Sequence, residues 1–224
     1  MIYLSAALSQ QLTPDTLPGA VRAALGKPLR RAPAQAQMAV LGALACLPPE
    51  SRKRPTALLW QSTSGPRQET LALLEEVCQD SGEPMPFTFL ATVPASAAVH
   101  LSPFLPGLRT AMTLPLDSEQ EANWGLLLNI AANWLRQGRY EQVLCAHLDH
   151  WADSVSGHWL ALAASPPAGG RAILRTPTGE PSVPAADISN FPATVSAWLD
   201  TPDVQPLRLD SPAAPGLTVE FARI

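Results

Sequence analysis

Residues 110–147 read as a short strand, an acidic turn, a long apolar helix and a second strand, and no other stretch narrows the possible folds so far. Thr110-Ala111-Met112-Thr113-Leu114-Pro115-Leu116 is a short apolar run. Asp117-Ser118-Glu119-Gln120-Glu121 then supplies a helix start, because Ser118 followed three residues later by Glu121 satisfies two orphan amides reciprocally as a capping box. From Trp124 to Leu135 nearly every position is apolar, and a helix apolar all round is covered on all sides. Gly138 provides a left-handed stop, and Gln142-Val143-Leu144-Cys145-Ala146-His147 resumes an extended run able to lie parallel to the first strand. The pattern predicts a βαβ unit with its helix inside the molecule.

Strand and helix signals alternate along the rest of the chain. Residues 57–62 read as a strand, residues 1–8 as a first strand or a helical start, and residues 36–47 form a helical pattern that Pro48-Pro49 ends. Ser64-Gly65-Pro66 opens a further helix, with Leu71, Leu74, Val77 and Cys78 on its buried face. Phe87-Thr88-Phe89-Leu90 reads as a brief extended piece, and residues 95–105 as a helix rich in small side chains. Residues 159–164 and 171–175 flank Pro166-Pro167-Ala168-Gly169-Gly170 as the two strands of a hairpin. A short helix around residues 193–199 and a last strand at residues 217–221 follow. This order of elements predicts a layered α/β fold with a mixed sheet. The 24 prolines concentrate in the connections and the last third, and point to a loop-rich C-terminal part rather than disorder.

A chain of 224 residues with 46% apolar composition buries a sizeable core. A formal charge of −4 leaves no basic field for nucleic acid or anionic lipid, and Arg30-Arg31 and Arg52-Lys53-Arg54 read as solvated loop charge. No run reaches the ~20 apolar residues of a membrane span, and the first residues lack the positive region of a secretory signal, so a cytoplasmic protein is expected. Cys46, Cys78 and Cys145 are odd in number and sit in apolar runs, as free buried thiols rather than a disulfide framework.

Chemistry has few footholds. A turn running into a buried helix is where a nucleophile gains from the helix N-terminus, but the residues at hand are Asp117, Ser118, Glu119, Gln120 and Glu121. Ser118 lacks a G-x-S-x-G setting and is accounted for as an N-cap, and the carboxylates suit a helix N-terminus electrostatically. His147-Leu148-Asp149-His150 invites a metal reading, yet alternation puts His147 and Asp149 on one face and His150 on the other, without ligand spacing. His100 and His158 read as isolated histidines, and no glycine-rich phosphate loop is present. No catalytic, cofactor-binding or metal-binding residue is predicted, and no cofactor.

The sequence resembles the N-terminal half of β-ketoacyl synthases. Residues 57–65 (Ala-Leu-Leu-Trp-Gln-Ser-Thr-Ser-Gly) followed by Glu69-Thr70-Leu71 are similar to the strand, turn and helix of that family. Residues 89–98 resemble its F-x-x-S-V-H-N-A-A-A stretch, with Pro94 and Ala95 in place of His-Asn. Residues 108–114 resemble the strand before the catalytic cysteine, and Trp134-Leu135-Arg136-Gln137-Gly138 the end of the nucleophile's helix. The resemblance covers about residues 1–175 and implies a thiolase-like layered α-β-α half-fold, a mixed sheet around a buried central helix. Residues 176–224 are then a proline-rich extension packed on it.

Counting back from Gly138, the family's cysteine falls near Glu121, but residues 110–138 contain no cysteine, and condensation requires a thiolate to accept the acyl chain. The family's C-terminal half, with its two histidines, has no counterpart here. The pattern resembles the chain-length-factor-like subunits of type II polyketide and fatty acid systems, most of all the short ones of aryl polyene clusters. It implies a non-catalytic subunit that pairs with a full-length β-ketoacyl synthase and helps shape its acyl tunnel, with acyl carrier protein reached through the complex. In the family, the strand before the nucleophile pairs antiparallel across a pseudo-twofold axis. Thr110, Ala111, Met112, Thr113, Leu114 and Leu116 are therefore the expected seam, with Pro115 near its end, where an edge strand tolerates a missing donor. Two other readings stay open: a hydrolase or acyltransferase using Ser118, and a homodimeric scaffold that docks an acyl carrier protein.

Overall fold

Two nine-residue strands, β4 (Gln142–His150) and β5 (Val155–Ala163), are buried along nearly their whole length. Strands apolar on both faces need a covering layer on each side, and the fold is built to supply both. The computed structural model describes residues 1–79, 85–117, 120–167, 170–202, 204–211 and 216–224. The remaining strands are β1 (Ile2–Leu12), β2 (Thr56–Gln61), β3 (Leu108–Thr113), β6 (Ala172–Arg175), β7 (Val183–Ala185), β8 (Leu207–Asp210) and β9 (Thr218–Arg223). The helices are α1 (Leu17–Leu25), α2 (Ala34–Cys46), α3 (Arg67–Gln79), α4 (Pro86–Ala91), α5 (Ser96–Leu101), α6 (Trp124–Arg136) and α7 (Phe191–Asp200).

The strands form a mixed sheet in the order β3-β2-β4-β5-β1-β6-β9-β8-β7. β3, β2 and β4 run parallel, β5, β1, β6, β9 and β8 alternate antiparallel, and β7 pairs parallel with β8. Alternation sends Leu59, Cys145 and Leu160 to one face, under α6 and α7, and Leu58, Leu144 and Trp159 to the other, under α1, α2 and α5. The result is the expected helix-sheet-helix layering. The β3-α6-β4 unit forms as predicted, with β2 inserted between its two parallel strands.

α6 spans the apolar run and ends where its sequence says it should. Gln137 is its C-cap and Gly138, at φ 66°, is the left-handed residue beyond it. The Gly138 amide donates to Leu135 O and the Arg139 amide to Trp134 O, so two terminal carbonyls are satisfied as in a Schellman motif. Complete enclosure is not reached: Leu126, Asn129 and Ile130 are half-buried and Asn133 and Arg136 exposed, at helical spacing along one stripe.

Several expectations are corrected. The 159–164/171–175 hairpin does not form, because β1 lies between β5 and β6: Tyr3 pairs with Ala163 on one side and Ile173 on the other. Period-two apolar runs around a turn identify strands, not partners, and the N-terminal strand takes the position between them. The extended piece at residues 87–90 is helix α4, which Pro86 in its first turn favours. Leu71, Leu74, Val77 and Cys78 on α3 are exposed rather than buried, because no element of the described chain covers that face. Arg52 is not simply solvated: its guanidinium donates to Leu44 O and Leu47 O and closes the C-terminal end of α2. α1, β7 and β8 carry no clear sequence signal, being short and proline-flanked. Among the described residues, no helix is long and apolar enough to cross a membrane.

α2 lies close against the sheet at Gly42, where an added Cβ would lie 2.1 Å from the Trp159 Nε1 position and 2.4 Å from Cε2. Alanine favours a helix by about 1 kcal/mol over glycine, but overpacking a rigid indole costs about 1–3 kcal/mol. Gly42→Ala is therefore expected to lower stability in urea denaturation, opposite in sign to its helix propensity.

Candidate functional site

The N-terminus of α6 points into the buried end of the sheet, beside the last residues of β2 and β4. Its first amides must find acceptors there, because water is excluded. Asn123 is the N-cap, and its Oδ1 accepts from the Leu126 amide at 3.2 Å and from Ser211 Oγ at 3.0 Å. Asp187 supplies the rest: Oδ1 accepts from the Trp124 amide at 2.7 Å and Oδ2 from the Gly125 amide at 3.1 Å. Gln61 Oε1 accepts from the Asn123 amide at 2.9 Å. The chain's own carboxylate thus occupies the electropositive end of the helix, the place where this type of helix terminus would otherwise hold a developing negative charge.

This arrangement moves the helix start from the residues expected to cap it. Ser118 and Glu119 lie outside the described residues. Glu121 is not part of a capping box on α6; its Oε1 accepts from Ser189 Oγ at 3.0 Å and its carbonyl from Thr63 Oγ1 at 3.2 Å. Asp117 and Gln120 precede the helix, with the Asp117 amide directed at Gln120 Oε1. Asn123 caps as well as serine does, and Trp124, wholly buried with Nε1 donating to Ser189 O and its ring 6.2 Å from Phe191, anchors the first turn at its position.

A polar row crosses the sheet beneath the same helix end, buried at Gln61, His147 and His158 and exposed at Ser9. Gln61, His147, His158 and Ser9 are successive partners on β2, β4, β5 and β1, and so share one face. His147 is fully buried, with Nε2 2.8 Å from Asp149 Oδ2 and 3.3 Å from Thr63 Oγ1. Asp149 Oδ1 accepts from the Thr63 amide, the Ser64 amide and Ser62 Oγ, at 2.8, 2.8 and 2.9 Å. One carboxylate therefore pins the turn between β2 and α3. His150 faces the other way, as alternation predicts, with Nδ1 2.9 Å from Glu69 Oε1.

The charges follow from this geometry. Burial works to raise the Asp149 carboxyl, but the His147 hydrogen bond and charge, with the Ser64 and Ser62 donors, outweigh it and hold Asp149 well below the usual carboxylate range. Burial pushes the His158 imidazole down from its ordinary 6.5 to about 4, and His147 adds to that effect. Burial pushes Asp187 upward against its two amide donors.

The cluster does not compose a nucleophile relay. In such a relay the base is oriented through one ring nitrogen and takes the proton through the other, whereas His147 meets both Thr63 and Asp149 through Nε2, and its buried Nδ1 has no partner among the described residues. Ser62 Oγ is committed to Asp149. Cys145 lies beneath α6 with Sγ 4.0 Å from Leu127 O, and burial raises its thiol; Cys46 is pushed up to about 12. Neither supplies a thiolate near neutrality. Cys78, expected to be buried, is exposed on α3. Among the described residues no group of three or more His, Cys, Asp or Glu side chains is placed to hold a metal ion. Asp187 and Ser211 carry no local signal in the sequence, since each acts across a long span of chain, whereas Asn123, directly before the apolar run, is a local N-cap signal that the acidic turn masks. Thr110, Ala111, Met112 and Thr113 lie on β3, at one edge of the sheet, and Leu114 and Leu116 follow it, half-buried.

The fold is the thiolase-like α/β fold of ketosynthase chains. A chain of the complex between a ketosynthase and its chain length factor from Xenorhabdus doucetiae matches with TM-score 0.52 at 14% identity, covering 98% of each chain. A chain of the ishigamide ketosynthase/chain length factor matches with TM-score 0.61 at 11% identity, over 91% of this chain and 84% of that one. A chain of a type II polyketide ketosynthase in complex with its acyl-carrier protein and bound to the hexaketide matches with TM-score 0.59 at 11% identity, over 100% and 99%. No family model and no curated protein matches the sequence.

Asp187→Ala would leave two amides at the end of α6 without an acceptor, at a cost of about 1–3 kcal/mol if buried, and Asp187→Asn, which keeps one acceptor, less. Urea midpoints are expected in the order wild type, D187N, D187A. On acidification the His158 contribution, complete above pH 6.5, is lost as pH falls from 6.5 to about 4, because the unfolded chain binds that proton more readily. The Asp149 contribution is complete above its ordinary 3.8 and is lost as pH falls further. Asp187 acts in the opposite sense over the carboxylate range. Thermal unfolding across pH is expected to show H158Q removing the upper stage of the loss and Asp149→Asn the lower.

Proposed function

We propose that this chain is a non-catalytic, chain-length-factor-like subunit that pairs with an active β-ketoacyl synthase and contributes wall rather than chemistry to its acyl tunnel. The observation that carries this reading is the closed N-terminus of α6: the helix end is saturated by Asp187 and Asn123, and the Cys145 thiol beneath its first turn is buried and raised. The fold likeness to chains of ketosynthase–chain length factor complexes supports a ketosynthase as partner, and acyl carrier protein would be met through the assembled pair.

The surface offered for pairing is β3. It is an edge strand, and the Leu114 amide donates to Trp60 O. Alternation from that bond turns the amides of Ala111 and Thr113 away from β2, toward an added strand. Thr110, Ala111, Met112 and Thr113 would form the seam, with Leu114 and Leu116 at its end. Tyr140 braces it from behind, its hydroxyl 2.6 Å from Thr110 Oγ1.

Co-expression with a full-length ketosynthase encoded beside this chain tests the reading. A stable heterodimer and a changed product length are expected, whereas a chain that purifies as a monomer and leaves condensation unaltered would sink it. Thr113→Pro removes one outward donor without touching the β2 ladder. Its expected effect is at least tenfold weaker pairing, about 1.4 kcal/mol, with the unfolding midpoint of the isolated chain little changed.

A further inference from the structure

Most of the large apolar side chains that the chain leaves exposed lie between Leu71 and Met112. Leu71 and Leu74 on α3, Phe87 and Leu90 on α4 and Val99 on α5 are each close to half exposed or more. A soluble surface scatters such side chains singly, and a contiguous group marks a contact site. Those of α4 and α5 are contiguous, lining one cavity. α3 packs on α4. α4 and α5 enclose an apolar cavity of about 420 Å³ lined by Phe87, Leu90, Val93 and Val99. Val99 also lines the groove that runs on to Leu108 and Ala111 of β3. One surface therefore runs from the sheet edge across α5 to α4 and α3.

The lining of the cavity and of the groove is cationic, while α3 carries Glu75 and Glu76. Arg30 and Arg31 line the cavity mouth and Arg109 the groove, and among the described residues none has a carboxylate at ion-pair distance. Arg31 is the one non-glycine among the described residues with positive φ, 59°, a backbone conformation that costs free energy and persists where surroundings hold it. Its guanidinium lies 4.5 Å from the Phe87 ring centroid, over the apolar mouth.

Resting on the pairing reading above, we infer that the subunit added at β3 also covers the α3–α4–α5 face, inserting an apolar side chain into the cavity and setting carboxylates against Arg30, Arg31 and Arg109. Continuity with the strand edge argues for the same occupant, since a subunit docked along β3 lies over the adjoining groove. The cationic lining argues for an acidic border on that occupant. The three arginines supply orientation and encounter rate, and the apolar centre supplies affinity.

The test measures affinity of the full-length chain for the ketosynthase by calorimetry, with Leu90→Glu, Val99→Glu and Arg31→Ala beside Thr113→Pro. L90E and V99E alter exposed positions, so the isolated chain should keep its unfolding midpoint. Each is expected to weaken pairing at least tenfold, and Arg31→Ala severalfold with a flatter salt dependence. Affinities within twofold of wild type for L90E and V99E, while T113P still breaks the pair, overturn the inference and leave the heterodimer reading intact. Loss of a homodimer in sedimentation, with ketosynthase affinity untouched, also overturns it by making a second copy the occupant. A wild-type chain that fails to bind the ketosynthase at all overturns the pairing reading itself.

Discussion

A helix that ends inside a protein leaves its first amides where water cannot reach them, and α6 meets that constraint with Asp187. Much else in the molecule follows from that contact. The carboxylate arrives from the segment between β7 and α7, so the last third of the chain has to fold back across the sheet to deliver it. β6, β8 and β9 extend the sheet on that side, and Phe191, Trp198 and Phe221 close the layer over α6 and α7. Residues 176–224 thus hold the buried end of the helix in place and share its core.

Asp149 plays the matching part on the sheet side. It gathers Ser62, Thr63 and Ser64 at the end of β2 and His147 at the end of β4, so the turn into α3 is fixed by a carboxylate from a neighbouring strand. Buried carboxylates are tolerated when several donors converge on them, and both of these meet that condition. The polar row under α6 reads as framework: its hydrogen bonds join strands and helix ends. The seam expected at β3 and the apolar face beside it lie outside this framework, on the opposite layer or at the sheet edge.

What could be read from the sequence depended on how local the physics was. The boundaries of α6 came from its apolar run, and its C-terminal stop from Gly138, because helix periodicity and left-handed backbone are written in adjacent residues. β2, β4 and β5 were legible as apolar runs for the same reason. The helix cap was not, since Asn123, two residues past the acidic run, competes with Ser118 by local rules and is chosen by the burial of Trp124 and by Asp187. The misplaced hairpin has the same origin: the partner of a strand is a long-range choice, and the eleven-residue β1 pairs with both β5 and β6. The buried face expected for α3 failed for a different reason, because amphipathic spacing says that a face wants cover and is silent about which chain supplies it.

The two edges of the sheet are unlike. At one end β7 is three residues long and carries Pro184 at its centre, which cannot donate to an incoming strand. At the other, β3 runs six residues without proline. Strand addition of the kind proposed would therefore be one-sided: a sheet extended at β3 would have no comparable second edge from which to grow, so association would stop at a closed pair and not propagate into a fibre. In polymer terms the chain would then be a monofunctional unit, a terminator built into the strand order.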